Sequence, residues 1–122
     1  MYDPPKQSSS AQSALVVTSG SEQCGWRPWV IVSRDGVHRG KRTAIGVPLT
    51  TRVDKANSYR IAIPVAHIIP EGPSSYQFRD SVALCDHVRV LDLTMIRLKI
   101  GRLSEVAIIS VGNGLANVLD IR

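Results

Sequence analysis

Apolar residues in this chain come in short runs, and glycine, proline or an Asp-Gly pair cuts each run off. Trp29 to Val32 is continuously apolar and bounded by Pro28 and Asp35-Gly36, which suits a strand covered on both faces. Thr43 to Thr50, TAIGVPLT, reads as the returning strand, with Gly46 and Pro48 marking a bulge or an edge. Ser13 to Val17, SALVV, reads as a short strand before them, and Tyr59, Ile61 and Ile63 alternate as one half-buried face of another. The longest strand candidate is Ser81 to Leu91, SVALCDHVRVL. One of its faces carries Val82, Leu84, Asp86, Val88 and Val90; the other carries Ala83, Cys85, His87, Arg89 and Leu91. His67 to Asp80, with two prolines and a glycine, reads as a loop.

Asp92 can cap a short helical turn through LTMIRLK. Beyond Ser104, the residues Ile108, Val111, Leu115, Val118 and Leu119 recur at helical spacing. That favours one helix over residues 104–121, although Gly112-Asn113-Gly114 would also turn a hairpin and each mid-helix glycine costs about 1 kcal/mol. Short strands, turn chemistry and one terminal helix together predict a small, curled, largely antiparallel β-barrel. The leader MYDPPKQSSSAQ has nothing to bury and is expected to be disordered, leaving residues 13–122 as a single domain. With aromatics at 5% of the chain, the core falls to Val, Ile, Leu and Ala.

Fifteen Lys and Arg against ten acids give a net charge of +5, which points to a polyanionic partner, RNA or DNA above all. Cys24 and Cys85 form neither a secreted disulfide framework nor a metal-ligand spacing, so reduced thiols and a cytoplasmic location are expected. No apolar run reaches the length of a membrane span or a signal-peptide core. The phosphate loop, the dinucleotide fingerprint, the nucleophile elbow and the zinc motif are all missing, so no cofactor or metal is expected.

Two residues look misplaced. Asp86 falls on an otherwise apolar strand face, where it needs a cationic partner or serves as a site carboxylate for proton transfer. Arg27 precedes Pro28, which holds its backbone extended, and its planar fork of donors suits either an ion pair with Glu22 or Asp86 or a phosphate. Trp26 either packs or offers a base a stacking face. Arg34, Arg39, Lys41, Arg42, Arg52, Lys55 and Arg60 share their stretch with only Asp35 and Asp54, which makes a solvated surface or a phosphate-tracking stripe. His38, His67 and His87 stand at no catalytic spacing to one another and read as structural or exposed.

The stretch GSEQCGWRPWVIVS, Gly20 to Ser33, resembles the G-x-E-Q-x-G-x-R-P-x-V-(hydrophobic)2-S signature of the MazF/PemK (Kid) toxins, ribonucleases of bacterial toxin–antitoxin modules. VPLTT, Val47 to Thr51, is similar to the end of that family's next strand, and Asp80 to Ser104 resembles its Asp-x-(hydrophobic)-Arg block followed by R-L and I-G-x-L. The blocks keep the family's order from Gly20 to about Leu119. The resemblance implies a mainly β (α+β) chain: a small SH3-like barrel of the PemK/CcdB type with short helices and a C-terminal helix, acting as a homodimer. It implies cleavage of single-stranded RNA without a metal, by attack of the RNA's own 2′-hydroxyl, and an acidic antitoxin as partner. The catalytic pair maps onto Arg27 and Thr50, with Glu22 and Asp86 as carboxylates able to take the proton. RNA contacts are expected from Gln23, Trp26, Arg34, His38, Arg39, Lys41, Arg42 and Arg52. SALVVTSGSEQ departs from the family in lacking its Gly-Asp first strand, and Trp26 stands where some members have a histidine. Two other readings share the barrel: a CcdB-like inhibitor of DNA gyrase, and a non-catalytic module that binds nucleic acid or antitoxin.

Overall fold

A computed structural model describes residues 13–18, 27–33, 42–72 and 76–120 of the chain. Its strands are β1 (Ala14–Thr18), β2 (Pro28–Ile31), β3 (Thr43–Thr50), β4 (Arg60–Ile63), β5 (Ile68–Pro70), β6 (Ser81–Leu84), β7 (Arg89–Asp92) and β8 (Ile96–Leu103), followed by helix α1 (Glu105–Leu119). They form one antiparallel sheet in the order β4-β6-β3-β2-β1-β8-β5, with β7 also on β3.

The strand predicted at Thr43–Thr50 is β3, but it is interior rather than an edge: β2 runs along one side, while β7 and β6 share the other. Val32 N–H donates to Ile45 O, so by antiparallel alternation residues 45, 47 and 49 turn their polar groups toward β2. Pro48 therefore faces the β6/β7 side. There β7 pairs up to Gly46 and β6 begins at Leu49, so the ladder needs no N–H from residue 48.

The single strand predicted over Ser81–Leu91 is two strands. Leu49 lies opposite Ala83 and Gly46 opposite Arg89, so three steps along β3 are matched by six along the other segment. The surplus residues, Cys85–His87, form a 3-10 turn closed by Val88 N–H to Cys85 O at 3.3 Å. Two other expectations change with pairing. Ile68–Pro70, read as loop, pairs with β8. Of LTMIRLK, only Leu93–Met95 is helical; Asp92 does cap it, accepting from Thr94 N–H at 2.9 Å, but Ile96 onward is β8.

The terminal helix is one piece. Ser104 caps it by accepting from Ala107 N–H at 3.2 Å, and Asp120 ends it in the left-handed region. Gly114 is the point of closest approach: a Cβ there would lie 2.6 Å from Ile61 Cγ1 and 2.8 Å from Cys85 Sγ, so only glycine lets the helix seat on β4 and the 85–87 turn.

The sheet has an apolar cluster on each face. Leu15, Val17, Val30, Val47, Leu49, Ile63, Ile100 and Leu103 pack inward with Ala107 and Val111 of α1. Their alternating neighbours Ala14, Val16, Trp29, Ile31 and Ala44 join Leu91, Leu93 and Ile96 on the opposite face. Among the described residues, no helix is long and apolar enough to cross a membrane.

Candidate active site

The outward face of β2 and β3 opens into a groove of about 550 Å³ lined by Arg27, Trp29, Pro48, His87, Val88 and Arg89. Strand alternation selects this set. Val47 and Leu49 belong to the inner core, so Pro48 and Thr50 face out, and Trp29, directly opposite Pro48, faces out with them.

The same register, Trp29 against Pro48, sets Arg27 opposite Thr50 when continued by two residues. That position is a non-hydrogen-bonded pair, whose Cβ atoms lie about 4.5–5.5 Å apart in regular antiparallel sheet. Arg27 and Thr50, predicted from widely separated blocks, thus share one face and one rung. Arg27 lines the groove, and among the described residues it makes no ion pair. Thr50 Oγ1 accepts from Arg52 N–H at 3.3 Å, which leaves its own hydrogen to donate outward.

Asp86 is not on an apolar strand face. It sits in the 3-10 turn, and Arg60 grips both of its oxygens: Nε to Oδ1 at 3.1 Å and Nη2 to Oδ2 at 2.7 Å. The hydrogen bonds from Arg60 hold its carboxyl below the usual aspartate range. Of the two partners considered for Arg27, Glu22 lies outside the described residues, and Asp86 is therefore taken by Arg60. That also withdraws Arg60 from the predicted phosphate-tracking stripe.

Of the six described groove residues only Arg27 was picked out from the sequence as a site residue, and two of the others carry ionisable side chains. Arg89 places its guanidinium carbon 5.6 Å from the centre of the Trp29 ring, a cation–π contact that keeps a second guanidinium beside Arg27. His87 has its Nε2 3.6 Å from Asp86 Oδ2 and is about half exposed. Their shared place on the odd face of the predicted strand was the available signal. What that pattern lacked was β3, which brings the face against Trp29 and Pro48. Trp29 itself is 7% exposed, and its Nε1–H has no acceptor among the described residues.

Of the predicted RNA contacts, Arg52 follows Thr50 at the groove end of β3, whereas Arg42 precedes Thr43 at the far end, beside Asp92. Seven strand steps separate the ends of β3, roughly 20–25 Å, so the two cations serve different nucleotides if both meet one strand. Glu22, Gln23, Trp26, Arg34, His38, Arg39 and Lys41 lie outside the described residues, as does Cys24. Among the described residues no cluster of three His, Cys, Asp or Glu side chains could hold a metal ion.

Comparison with known proteins gives the same answer from three sides. Residues 13–119 match the sequence family described as PemK-like, MazF-like toxin of type II toxin-antitoxin system. Endoribonuclease MazF of Staphylococcus epidermidis is 35% identical over 101 residues, which span 83% of this chain and 79% of that protein. The protein of the same name from Staphylococcus saprophyticus is 33% identical over the same shares. Among solved structures, a mycobacterial endoribonuclease in complex with its cognate antitoxin superposes with a TM-score of 0.71 at 20% identity, covering 91% of this chain and 95% of that one. A MazE–MazF complex from Deinococcus radiodurans gives a TM-score of 0.71 at 19% identity over 99% of this chain and 100% of that one. At such identities these structures speak to the fold alone: a curled antiparallel half-barrel with one C-terminal helix, as the sequence led us to expect.

Proposed function

This chain belongs to the PemK-like, MazF-like toxins of type II toxin–antitoxin systems, and from that premise we propose that it is an endoribonuclease that cuts single-stranded RNA in the groove lined by Arg27, with Thr50 on the same face of the sheet. The single observation that supports the site assignment is the register of β2 on β3, which, continued by two residues beyond Trp29 and Pro48, brings Arg27 opposite Thr50. The two staphylococcal relatives bear the name endoribonuclease at 35% and 33% identity, which supports the activity over a gyrase inhibitor or a non-catalytic module.

The chemistry is transphosphorylation without a metal. The 2′-oxygen attacks the adjacent phosphorus, the P–O2′ bond forms as the P–O5′ bond breaks, and the products end in a 2′,3′-cyclic phosphate and a 5′-hydroxyl. Negative charge builds on the non-bridging oxygens, and a guanidinium that stays charged at every physiological pH is suited to meet it. The Thr50 hydroxyl donates a second hydrogen bond to the same oxygens. Glu22 takes the proton from the 2′-hydroxyl. Asp86 is a poor base because Arg60 occupies both of its oxygens, and it acts instead as a positioning residue for the turn that carries His87. Arg52 and the loop cations hold the flanking phosphates.

The protein works in the cytoplasm as a homodimer and is silenced by an acidic antitoxin segment laid over the cationic groove. Relatives solved with an antitoxin support that partner. The test is to incubate purified protein with a long RNA in EDTA and map the ends. Cyclic-phosphate and 5′-hydroxyl termini at recurring short motifs, lost with Arg27→Ala, are expected. RNA left intact by the wild-type protein overturns the proposal.

A further inference from the structure

Cleavage of this kind needs a proton for the departing 5′-oxygen as well as an acceptor for the attacking 2′-hydroxyl. Of the six described residues lining the groove, two are arginines, which do not give up a proton near neutrality, and Trp29, Pro48 and Val88 have no exchangeable acid. Thr50 offers a hydroxyl far too weakly acidic. The sixth is His87, and imidazole is the side chain most often used for general acid–base catalysis.

We propose that His87 is the general acid of the reaction, donating its ring proton to the 5′-oxygen as the P–O5′ bond breaks. The inference rests on the endoribonuclease reading above. Three observations carry it. His87 lines the same groove as Arg27, the residue assigned to the phosphate. Its ring is flanked at Nε2 by Asp86 Oδ2, 3.6 Å away, a carboxylate fixed in place by Arg60. It has no other partner among the described residues and is 52% exposed, so an imidazole nitrogen is open to substrate.

Among the described residues, the charged groups around it are Asp86 on its own turn, Arg60 from β4, Arg89 from β7 and Arg27 just before β2. Of the other elements packed on the turn, β3 contributes Pro48 to the groove wall, and α1 brings Gly114 and the Val111 carbonyl to Cys85. After the step the ring is neutral and the 5′-oxygen is a hydroxyl. Bulk water returns the proton before the next turnover.

The experiment compares wild type, Arg27→Ala, His87→Gln and His87→Ala on an RNA oligonucleotide with one mapped cleavage site. A second oligonucleotide carries sulfur in place of the bridging 5′-oxygen at that site. Sulfur leaves as a thiolate without protonation, so a missing acid matters little there. His87→Gln is expected to lower kcat on the ordinary RNA about 10²-fold with KM unchanged, and to lose less than about tenfold on the sulfur substrate. Free imidazole is expected to restore activity to His87→Ala. Unfolding midpoints of each variant separate loss of fold from loss of chemistry. Wild-type cutting abolished by Arg27→Ala but unaffected by His87→Gln overturns this assignment and leaves the endoribonuclease standing. Equal losses on both substrates, with no imidazole rescue, also overturn it. A wild-type protein that cuts neither RNA overturns both.

Discussion

Replacing Gly112 and Gly114 one at a time with alanine asks how the terminal helix meets the barrel. Each substitution gains helix propensity, about 0.5–1 kcal/mol relative to glycine. Their surroundings differ. A Cβ at Gly112 meets nothing within 4 Å, whereas one at Gly114 would lie 2.6 Å from Ile61 Cγ1 and 2.8 Å from Cys85 Sγ. Overpacking a core by one carbon costs about 1–3 kcal/mol, and it is felt at Gly114 alone. Because the propensity gain is common to both, the difference between the two variants isolates the contact. Unfolding entropy of about 2.1 cal/mol/K per residue makes 1 kcal/mol worth about 4 °C in a chain of 122 residues. Gly112→Ala should therefore raise the midpoint by about 2–4 °C, with Gly114→Ala falling about 4–12 °C below it. Thermal unfolding followed by circular dichroism at one fixed protein concentration measures both. Adding Ile61→Val to Gly114→Ala should recover part of the loss by removing atoms at the clash. Equal midpoints for the two alanine variants would refute the seating of α1 on Ile61 and Cys85.

Further outcomes follow from groups already placed. Asp86 is held below its unfolded value by Arg60, so its contribution to stability is complete above the ordinary aspartate pKa, about 3.9, and disappears as pH falls through the lower folded value. Asp86→Asn should flatten that acid limb in urea titrations between pH 6 and pH 2, and an unchanged limb would contradict the pairing. Ser104→Ala removes the cap on Ala107 N–H and should cost about 1 kcal/mol in the same assay. Burial, with a smaller push from Asp86, raises the Cys85 thiol to about 11. In a Cys24→Ser background, maleimide at pH 8 should label Cys85 only after denaturant is added, and rapid labelling of the folded protein would show the turn to be open.

What the sequence disclosed depended on how local the signal was. The strand at Trp29–Val32, the strand at Thr43–Thr50 and the capped helix after Ser104 are patterns within one segment; each element forms within a residue or two of where it was read, although Thr43–Thr50 is interior where a bulge or an edge was expected. The break at Cys85–His87 was hidden because Val82, Leu84, Val88 and Val90 alternate straight through it. Register belongs to a pair of strands, and a surplus in one strand shows only against the other. Ile68–Pro70 was hidden for the same reason: its proline reads as loop until β8 lies beside it. Asp86 was misplaced together with the strand, and so its link to Arg60, 26 residues earlier, could not be anticipated. Arg27 and Thr50 were named by family resemblance, but nothing in either block says that they sit across a single rung. His87 and Arg89 were passed over because their setting is made by β2 and β3.

The three surplus residues separate architecture from chemistry along the chain. Without Cys85–His87, Leu84 would fall opposite Pro48 and Val88 opposite Val47, and Arg89 would keep its place at Gly46. The shortened hairpin would be a plain ribbon, fully compatible with every other pairing. It would also lose, in one excision, the thiol on which the helix rests, the acid that Arg60 clasps and the imidazole in the groove. Removing or rebuilding this one turn would thus change the lining of the groove while leaving the strand ladders on either side of it as they were.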